Sequence, residues 1–321
     1  MDALSDVLRA VRLTGAFFFD VHAHAPWVAE TPEGKTVVDA MFPGSDHLVS
    51  YHLIMSGGCW LELEGEAPVK LSAGDIIVMP HGDTHVLTTE VGKRKTPEMS
   101  LYRMPEDGQL PVKISVGVEG GGEAHFVCGF LGCDSRPYNP LLTALPRYIH
   151  IADHASGALG AYFRAALAES KGRMGGASML GRISELMFVD VIRRHLESLP
   201  SDRTNWLSGL RDPYVGRALT ALHAEPARDW TLETLAQIAA LSRSAFAERF
   251  NEYVGHPPMQ YLTNWRMQLA TNYLRNGTES IASVANRVGY DSEAAFSRAF
   301  KKAVGAPPSE WRNTRVTGDA A

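Results

Sequence analysis

SRSAFAERFNEYVGHPP (Ser242 to Pro258) and SEAAFSRAFKKAVGAPP (Ser292 to Pro308) are two copies of one pattern. Phe246, Phe250, Gly255, Pro257 and Pro258 recur fifty positions later as Phe296, Phe300, Gly305, Pro307 and Pro308. Each copy opens on a serine suited to cap a helix and closes on prolines that no helix interior accepts. The paired phenylalanines, four residues apart, share one face and read as core. A helical unit that occurs twice offers one docking surface twice.

What precedes each copy extends the pattern. LETLAQIAAL (Leu232 to Leu241) places Leu232, Leu235, Ala236 and Ala239 on one face. Thr231 is its N-cap, with Thr234 in place of the glutamate of a full capping box. IASVANRV (Ile281 to Val288) is the corresponding first helix of the second unit, capped by Ser280 and followed by Gly289, where positive φ is tolerated. Helix, tight turn, capped helix is a helix-turn-helix. The second turn is one residue longer, because Ala236 and Ala285 are 49 apart whereas Ser242 and Ser292 are 50 apart. Between the units, Met259 to Gly277 repeats Tyr261, Leu262, Trp265, Leu269 and Tyr273 at helical spacing. That predicts one long amphipathic connector ending at the C-cap pair Asn276–Gly277.

On these residues the stretch from Pro213 to Arg312 resembles the AraC/XylS-type DNA-binding domain. The match is carried by Ala285, Gly289, Tyr290, Ser292, Phe296, Arg298, Phe300, Gly305, Pro308, Trp311 and Arg312. The resemblance implies a bacterial transcription regulator that sets two recognition helices in successive major-groove segments of double-stranded DNA, about 34 Å apart. The outward positions are Arg243, Ser244, Ala247 and Glu248 on the first helix, and Glu293, Ala294, Ala295, Ser297 and Arg298 on the second. Arg298 is the residue suited to pair bidentately with guanine, and the alanines offer only apolar contact to a thymine methyl. Lys301 and Lys302 read as phosphate contacts, and the caps Ser242 and Ser292 present free amides near the backbone. Arg249 and Arg287 read equally as DNA-facing or as surface-paired, and Glu248 and Glu293 as solvated charges.

The chain has 321 residues and a net charge of −5, a length that fits two domains better than one. Pro213 to Asn313 holds 11 basic and 9 acidic residues, against 20 and 27 in the rest. The contrast points to a DNA-facing C-terminal end whose affinity rests on where its positives sit. The start of the chain lacks the pattern of a signal peptide, and no apolar run approaches a bilayer-spanning length. With only three cysteines, an odd number, the expected compartment is a bacterial cytoplasm.

The front half, from about Gly15 to Ile151, is a series of short apolar or alternating runs broken by Gly, Pro and Asp, which predicts strands. The order Ala73-Gly74-Asp75, then Ile76 to Met79, Pro80, Gly82 and His85 resembles a cupin β-barrel, of the sensor subclass that precedes AraC-type domains. Leu131 to Ile151 resembles the same subclass. Metal-binding cupins draw two histidines and a carboxylate from the first motif and a histidine from the second. Here the first motif keeps His52 but lacks the His-x-His pair and glutamate, and His85 holds the second-motif place. With Cys128 and Cys133 these form a candidate metal set, for which zinc is the suited ion. The alternative is hydrogen-bonded interior histidines and small buried thiols. Cys128 and Cys133, five apart with Gly129 and Gly132 between, would form a redox pair only if a turn brought them together. His22-x-His24 reads as exposed or at the rim, and His81 as a loop residue.

Leu159 to Ser170 and Ser178 to Leu199 turn helical, broken by Gly172, Gly175 and Gly176. The second carries a broad apolar stripe through Leu180, Ile183, Leu186, Met187, Val191 and Leu196, and the resemblance implies that it serves a homodimer. Pro200 to Asp212 is polar and reads as a linker. The expected fold class is therefore multidomain α+β: a cupin-like β-barrel over 1–155, a helical dimerisation segment over 156–212, an all-α tandem helix-turn-helix domain over 213–313, and a tail over 314–321. The expected function is a non-enzymatic, sequence-specific transcription regulator of the activator type. It would answer to a small-molecule effector and work beside RNA polymerase. The alternatives are a cupin metalloenzyme of the dioxygenase kind with a DNA-binding tail, and a zinc- or redox-sensing regulator.

Overall fold

The computed structural model describes residues 2–11, 13–42, 44–105, 108–118, 120–152, 157–170, 174–200 and 202–313. The expected tail over 314–321 and the helix-breaking Gly172 lie outside the described residues. In chain order the first elements are α1 (Ala3–Val11), β1 (Thr14–His24), β2 (Val28–Thr31), α2 (Gly34–Met41), β3 (His47–Ser56), β4 (Gly58–Leu63), β5 (Val69–Ser72), β6 (Ile76–Met79) and β7 (His85–Thr88). Then follow β8 (Val112–Gly117), β9 (Glu123–Cys133), α3 (Pro140–Ala144), β10 (Ile149–Ile151), α4 (Ala158–Ser170) and α5 (Gly176–Ser198). The remainder is helical: α6 (Trp206–Arg211), α7 (Val215–Ala224), α8 (Leu232–Ile238), α9 (Arg243–Val254), α10 (Pro258–Asn276), α11 (Ile281–Arg287), α12 (Glu293–Val304) and α13 (Pro308–Asn313). The chain divides into two compact units, one of Leu13–Cys133 with Leu145–Glu197, the other of Met1–Arg12, Asp134–Ala144 and Ser198–Ala321. This grouping differs from boundaries at 155 and 212: α4 and α5 fall with the strands, and α1 and α3 fall with the C-terminal helices.

In the sheet unit, the described strands form a six-stranded sheet, β10-β6-β3-β9-β1-β8, and a four-stranded sheet, β2-β7-β4-β5. The expected closed barrel is thus corrected to a pair of sheets that share no hydrogen-bonded edge among the described strands. β1 runs parallel to β8 and antiparallel to β9, which also pairs antiparallel with β3. Central β9 is buried along most of its length, whereas edge strand β8 alternates half-buried and exposed. That is the difference between a strand covered on both faces and one wetted on one. Helix α5 covers part of the large sheet. The Ser184 hydroxyl donates to Leu180 O at 2.9 Å, so the Tyr51 hydroxyl is the donor in its 2.7 Å bond to Ser184 Oγ. Gly129 opens the space for that tyrosine ring, since a Cβ there would lie 2.1 Å from Tyr51 Cζ.

The helical unit follows the repeat. Thr231, Ser242, Ser280 and Ser292 each accept from the amide three residues on, and Thr231 with Thr234 completes a capping box. Gly255 and Gly305 end α9 and α12 in the left-handed region, at φ 74° and 90°. Phe246 and Phe250 are fully buried, as are Phe296 and Phe300, the latter pair packed with Met267, Leu274 and Val288. The connector α10 buries Tyr261, Leu262 and Trp265 toward the first unit and Met267, Ala270 and Leu274 toward the second. The Tyr261 hydroxyl accepts from Trp206 Nε1 at 3.0 Å and donates to His223 Nε2 at 2.6 Å. Burial pushes the His223 imidazole down to about 3, so it is the neutral acceptor there. The expected linker over Pro200–Asp212 is corrected: Asn205 and Ser208 form a capping box, and α6 buries Trp206 and Leu207.

Candidate nucleic-acid interface and interior cavity

The buried phenylalanines fix the roll of α9 and α12, and so which side chains face out. On α9, Arg243, Ser244 and Glu248 are exposed and Ala247 is half-buried. On α12, Glu293, Ala294, Arg298, Lys301 and Lys302 are exposed, and Ala295 and Ser297 are half-buried. All eleven candidate DNA-facing residues therefore lie on the two second helices of the helix-turn-helix units, outside their fully buried cores. The turns differ in detail. Leu241 N bonds Ala236 O and Tyr290 N bonds Ala285 O, both at 3.0 Å, so both turns begin with one geometry. The left-handed position is Gly289 in the second, at φ 81°, and Ala240 in the first, at φ 54°. A Cβ on Gly289 would lie 2.5 Å from Ala227 O, whereas Ala240 is the one non-glycine with positive φ among the described residues.

Superposing the copies at an offset of fifty sets Arg243 against Glu293, Glu248 against Arg298, Asn251 against Lys301 and Glu252 against Lys302. The charges run in opposite senses. Arg243 reaches Glu233 on α8 at 2.7 Å, an exposed pair of little energetic weight. Arg298, Lys301 and Lys302 make no ion pair among the described residues and are available to an anion. The two arginines left open by sequence are both engaged within the protein. Arg249 grips Asp212 with Nε and Nη2 and lies over Tyr214 and Tyr253. Arg287 bonds Glu279 at 2.6 Å with its guanidinium 3.8 Å from the Tyr273 ring centroid. Burial alone would raise the Asp212 carboxyl. The hydrogen bonds from Arg249 and from the Val215 and Tyr214 amides outweigh it and hold the carboxyl below its ordinary value. The Asp212 pairing escaped sequence reading because the two residues are 37 positions apart and Asp212 lay in the stretch taken for linker.

The sheet unit holds a partly open cavity of about 500 Å³. Its wall is mainly apolar, with Phe19, Phe126 and Phe130, and it also includes His52 and Cys128; Lys95 and Lys113 stand there with Glu30 and Glu98, charges that balance. The histidines sit in one buried hydrogen-bonded chain. His85 Nδ1 is 2.7 Å from Asp83 O and so must donate; its Nε2 then accepts from His52 Nε2 at 2.6 Å. His52 Nδ1 is left to accept from the Cys128 thiol at 2.9 Å. The direction of every proton follows from one carbonyl. Burial, with His85 beside it, pushes His52 well below its ordinary value; burial takes His85 to about 4 and drives the Cys128 thiol upward. Neutral imidazoles and a protonated thiol are what the chain requires.

This geometry corrects the candidate metal set. His85 and Cys128 approach opposite nitrogens of the single His52 ring, so the two cannot both share an ion with it. Cys133 stands five residues from Cys128 on β9, an odd step that puts it on the other face and about 16 Å along the strand. The turn that a Cys128–Cys133 disulfide needs is absent, because β9 pairs in unbroken register with β3 from His47↔Cys133 to His52↔Cys128. The donors here do not fit a metal, and His52, His85 and Cys128 are wall and hydrogen-bonding residues instead.

Residues 2–197 match the family model described as Cupin, and residues 235–314 match the model described as Helix-turn-helix domain. A putative AraC-like transcription regulator of Streptomyces lividans is 33% identical over 317 residues, covering 97% of this chain and 98% of the relative. The HTH-type transcriptional regulator AlkR of Acinetobacter baylyi is 29% identical over 318 residues, covering 97% of this chain and 99% of the relative. Among solved structures, the DNA-binding domain of AdpA in complex with a target DNA is 30% identical, with a TM-score of 0.32, covering 34% of this chain and 99% of that one. No helix among the described residues is long and apolar enough to cross a membrane. With a cupin unit ahead of paired helix-turn-helix units and near full-length likeness to such regulators, the chain belongs to the AraC-like family of DNA-binding transcription regulators.

Proposed function

We propose that this regulator reads a specific operator through the outward faces of α9 and α12 and changes that reading when a small molecule occupies the cavity of its sheet unit. The observation that carries the DNA part is the free cationic row Arg298, Lys301 and Lys302 on α12, exposed beside a helix whose opposite side is locked in the core. Arg298 reads a base edge; the lysines, with the amides at the Ser242 and Ser292 caps, hold phosphate. Ser244, Ala247, Glu248, Glu293, Ala294 and Ser297 shape the fit around them.

The effector part is supported by a cavity of about 500 Å³ with aromatic walls and a few polar groups, the usual form of a small-molecule site. It suits a mainly apolar molecule with one polar end. Such a ligand acts only by favouring one arrangement of the protein over another. On α5, Met179 and Leu186 are exposed, 40% and 54%, on the side away from buried Leu180, Met187 and Val191. They supply the face for a homodimer, and engagement of RNA polymerase by the DNA-bound dimer completes the activator reading. The cavity has no catalytic assignment in this reading.

The test is selection of duplex DNA by the purified full chain, followed by anisotropy on the selected site and on random duplex. Arg298→Ala should weaken the selected site by about 1–3 kcal/mol and random DNA by much less. Equal losses on both would make Arg298 a phosphate contact. Compounds are then screened for a change in operator affinity; one that retains its full effect after Phe19→Trp narrows the cavity would argue against the effector site.

A further inference from the structure

β1 carries Asp20 and His22 two residues apart, hence on one face of the sheet. The β1–β9 register sets His125 directly opposite His22. Phe19 and Val21 alternate with them and line the cavity, so Asp20, His22 and His125 lie on the reverse face. His125 Nε2 is 2.6 Å from Asp20 Oδ1, and His22 Nε2 is 3.9 Å from the same oxygen. The two imidazoles stack with centroids 4.4 Å apart and planes 7° from parallel. One donor atom from each residue lies within 4.8 Å of the other two, and no other His, Cys, Asp or Glu group among the described residues converges in this way.

We propose that Asp20, His22 and His125 bind a divalent transition-metal ion of the zinc class. Two imidazole nitrogens and one carboxylate oxygen are the donors such ions take, with bonds of about 2.0–2.1 Å that set tetrahedral donors about 3.3 Å apart. The observed 2.6 and 3.9 Å separations fall on either side of that spacing. To share one ion the two imidazoles must tilt out of their near-parallel stack, because each nitrogen lone pair lies in its own ring plane; the backbone register already places the three donors within 4.8 Å of one another. Asp20 is fully buried and held by the register, whereas the His22 side chain is 55% exposed. The carboxylate therefore anchors the ion from beneath, and the solvent side keeps a fourth position for water. Three protein ligands with an open fourth make an exchangeable site, unlike the closed four-ligand sites that hold folds together. The interior His52–His85 pair has no such third donor. The site stands apart from the effector reading, since it uses the face of β1 that the cavity does not.

The experiment is a zinc chloride titration of the chelator-stripped, dialysed full chain by isothermal calorimetry, with metal analysis of the product. The expected result is one zinc per chain. His22→Ala and His125→Ala should each lower the affinity by more than about a hundredfold, beyond the roughly 10–100-fold loss usual for residues that merely support a ligand. His52→Ala and Cys128→Ser should leave it unchanged. His22 is exposed, so its variant keeps the fold, as circular dichroism would verify, and it decides the matter even where His125→Ala does not fold. A wild type that takes up no zinc would overturn the site. So would His22→Ala binding like wild type, or uptake lost only in His52→Ala or Cys128→Ser.

Discussion

The two helix-turn-helix units share a skeleton and differ in chemistry. Both have capped helices, paired phenylalanines and a glycine C-cap. The second also has a glycine in its turn and three cations on its outer helix that make no ion pair among the described residues. The first has alanine in that turn, and both arginines of its outer helix are paired, Arg243 with Glu233 and Arg249 with Asp212. Duplication has preserved what the core needs and released what the surface does. On the proposed reading, the second unit holds DNA electrostatically and the first contributes shape.

The sharpest way to break this contrast is at the turns. Gly289→Ala forces a side chain into the left-handed region and against Ala227 and Arg266. It should destabilise the helical unit by about 3 kcal/mol. Urea unfolding reports this through Trp206, Trp230, Trp265 and Trp311, which all lie in that unit. Retention of wild-type stability would mean that the backbone there differs from the one described.

Next in size is the base contact. Arg298→Ala should cost about 2 kcal/mol on the selected site, whereas Glu248→Ala, at the matching place on α9, should leave affinity unchanged or raise it slightly. If Glu248→Ala costs as much, the first unit reads bases too, through a glutamate accepting from cytosine.

The Asp212–Arg249 pair comes third. Asp212→Asn should cost about 1–2 kcal/mol of stability, less than a fully buried pair because the Arg249 side chain is 37% exposed. The folded carboxyl is held below its ordinary 3.8, so its contribution is complete above that pH and is lost as pH falls through the folded value. Acid unfolding of the wild type should thus steepen below about pH 4, and the variant should lack that component. The smallest effect belongs to Ala240→Gly. Relief of the φ 54° conformation outweighs the added chain entropy by about 0.5 kcal/mol, a gain in stability.

How far the sequence disclosed all this varies by region. The repeat exposed the helical unit nearly in full, because caps, glycine, proline and phenylalanine act locally and leave a spaced trace. The one-residue difference between the turns was legible too, and the matching Leu241 and Tyr290 bonds place the extra residue at Asp291. Helix α6 was missed because a six-residue element between polar neighbours has too little periodicity to stand out; its burial depends on Tyr261, 55 positions on. In the sheet unit the strands were legible but the closure was not, since alternation reports which face is buried and not which edges pair. The candidate metal set failed for the same reason. His52, His85 and Cys128 do meet, but which ring nitrogen each partner approaches is a matter of rotamer, and the parity of β9 sends Cys133 to the other face. His22 was noticed only as a strand histidine. Its partners Asp20 and His125 become visible only once the β1–β9 register is known.

The most direct test of the contrast between the units is the salt dependence of binding to duplex DNA by the full chain. The logarithm of affinity falls with the logarithm of salt by about 0.9 per phosphate neutralised. Replacing Lys301 and Lys302 with alanine should flatten that slope by about 2, and Arg243→Ala on α9 by less than about 1. A slope insensitive to the α12 changes, or one that falls more with Arg243→Ala, would contradict the assignment of electrostatic anchoring to the second unit.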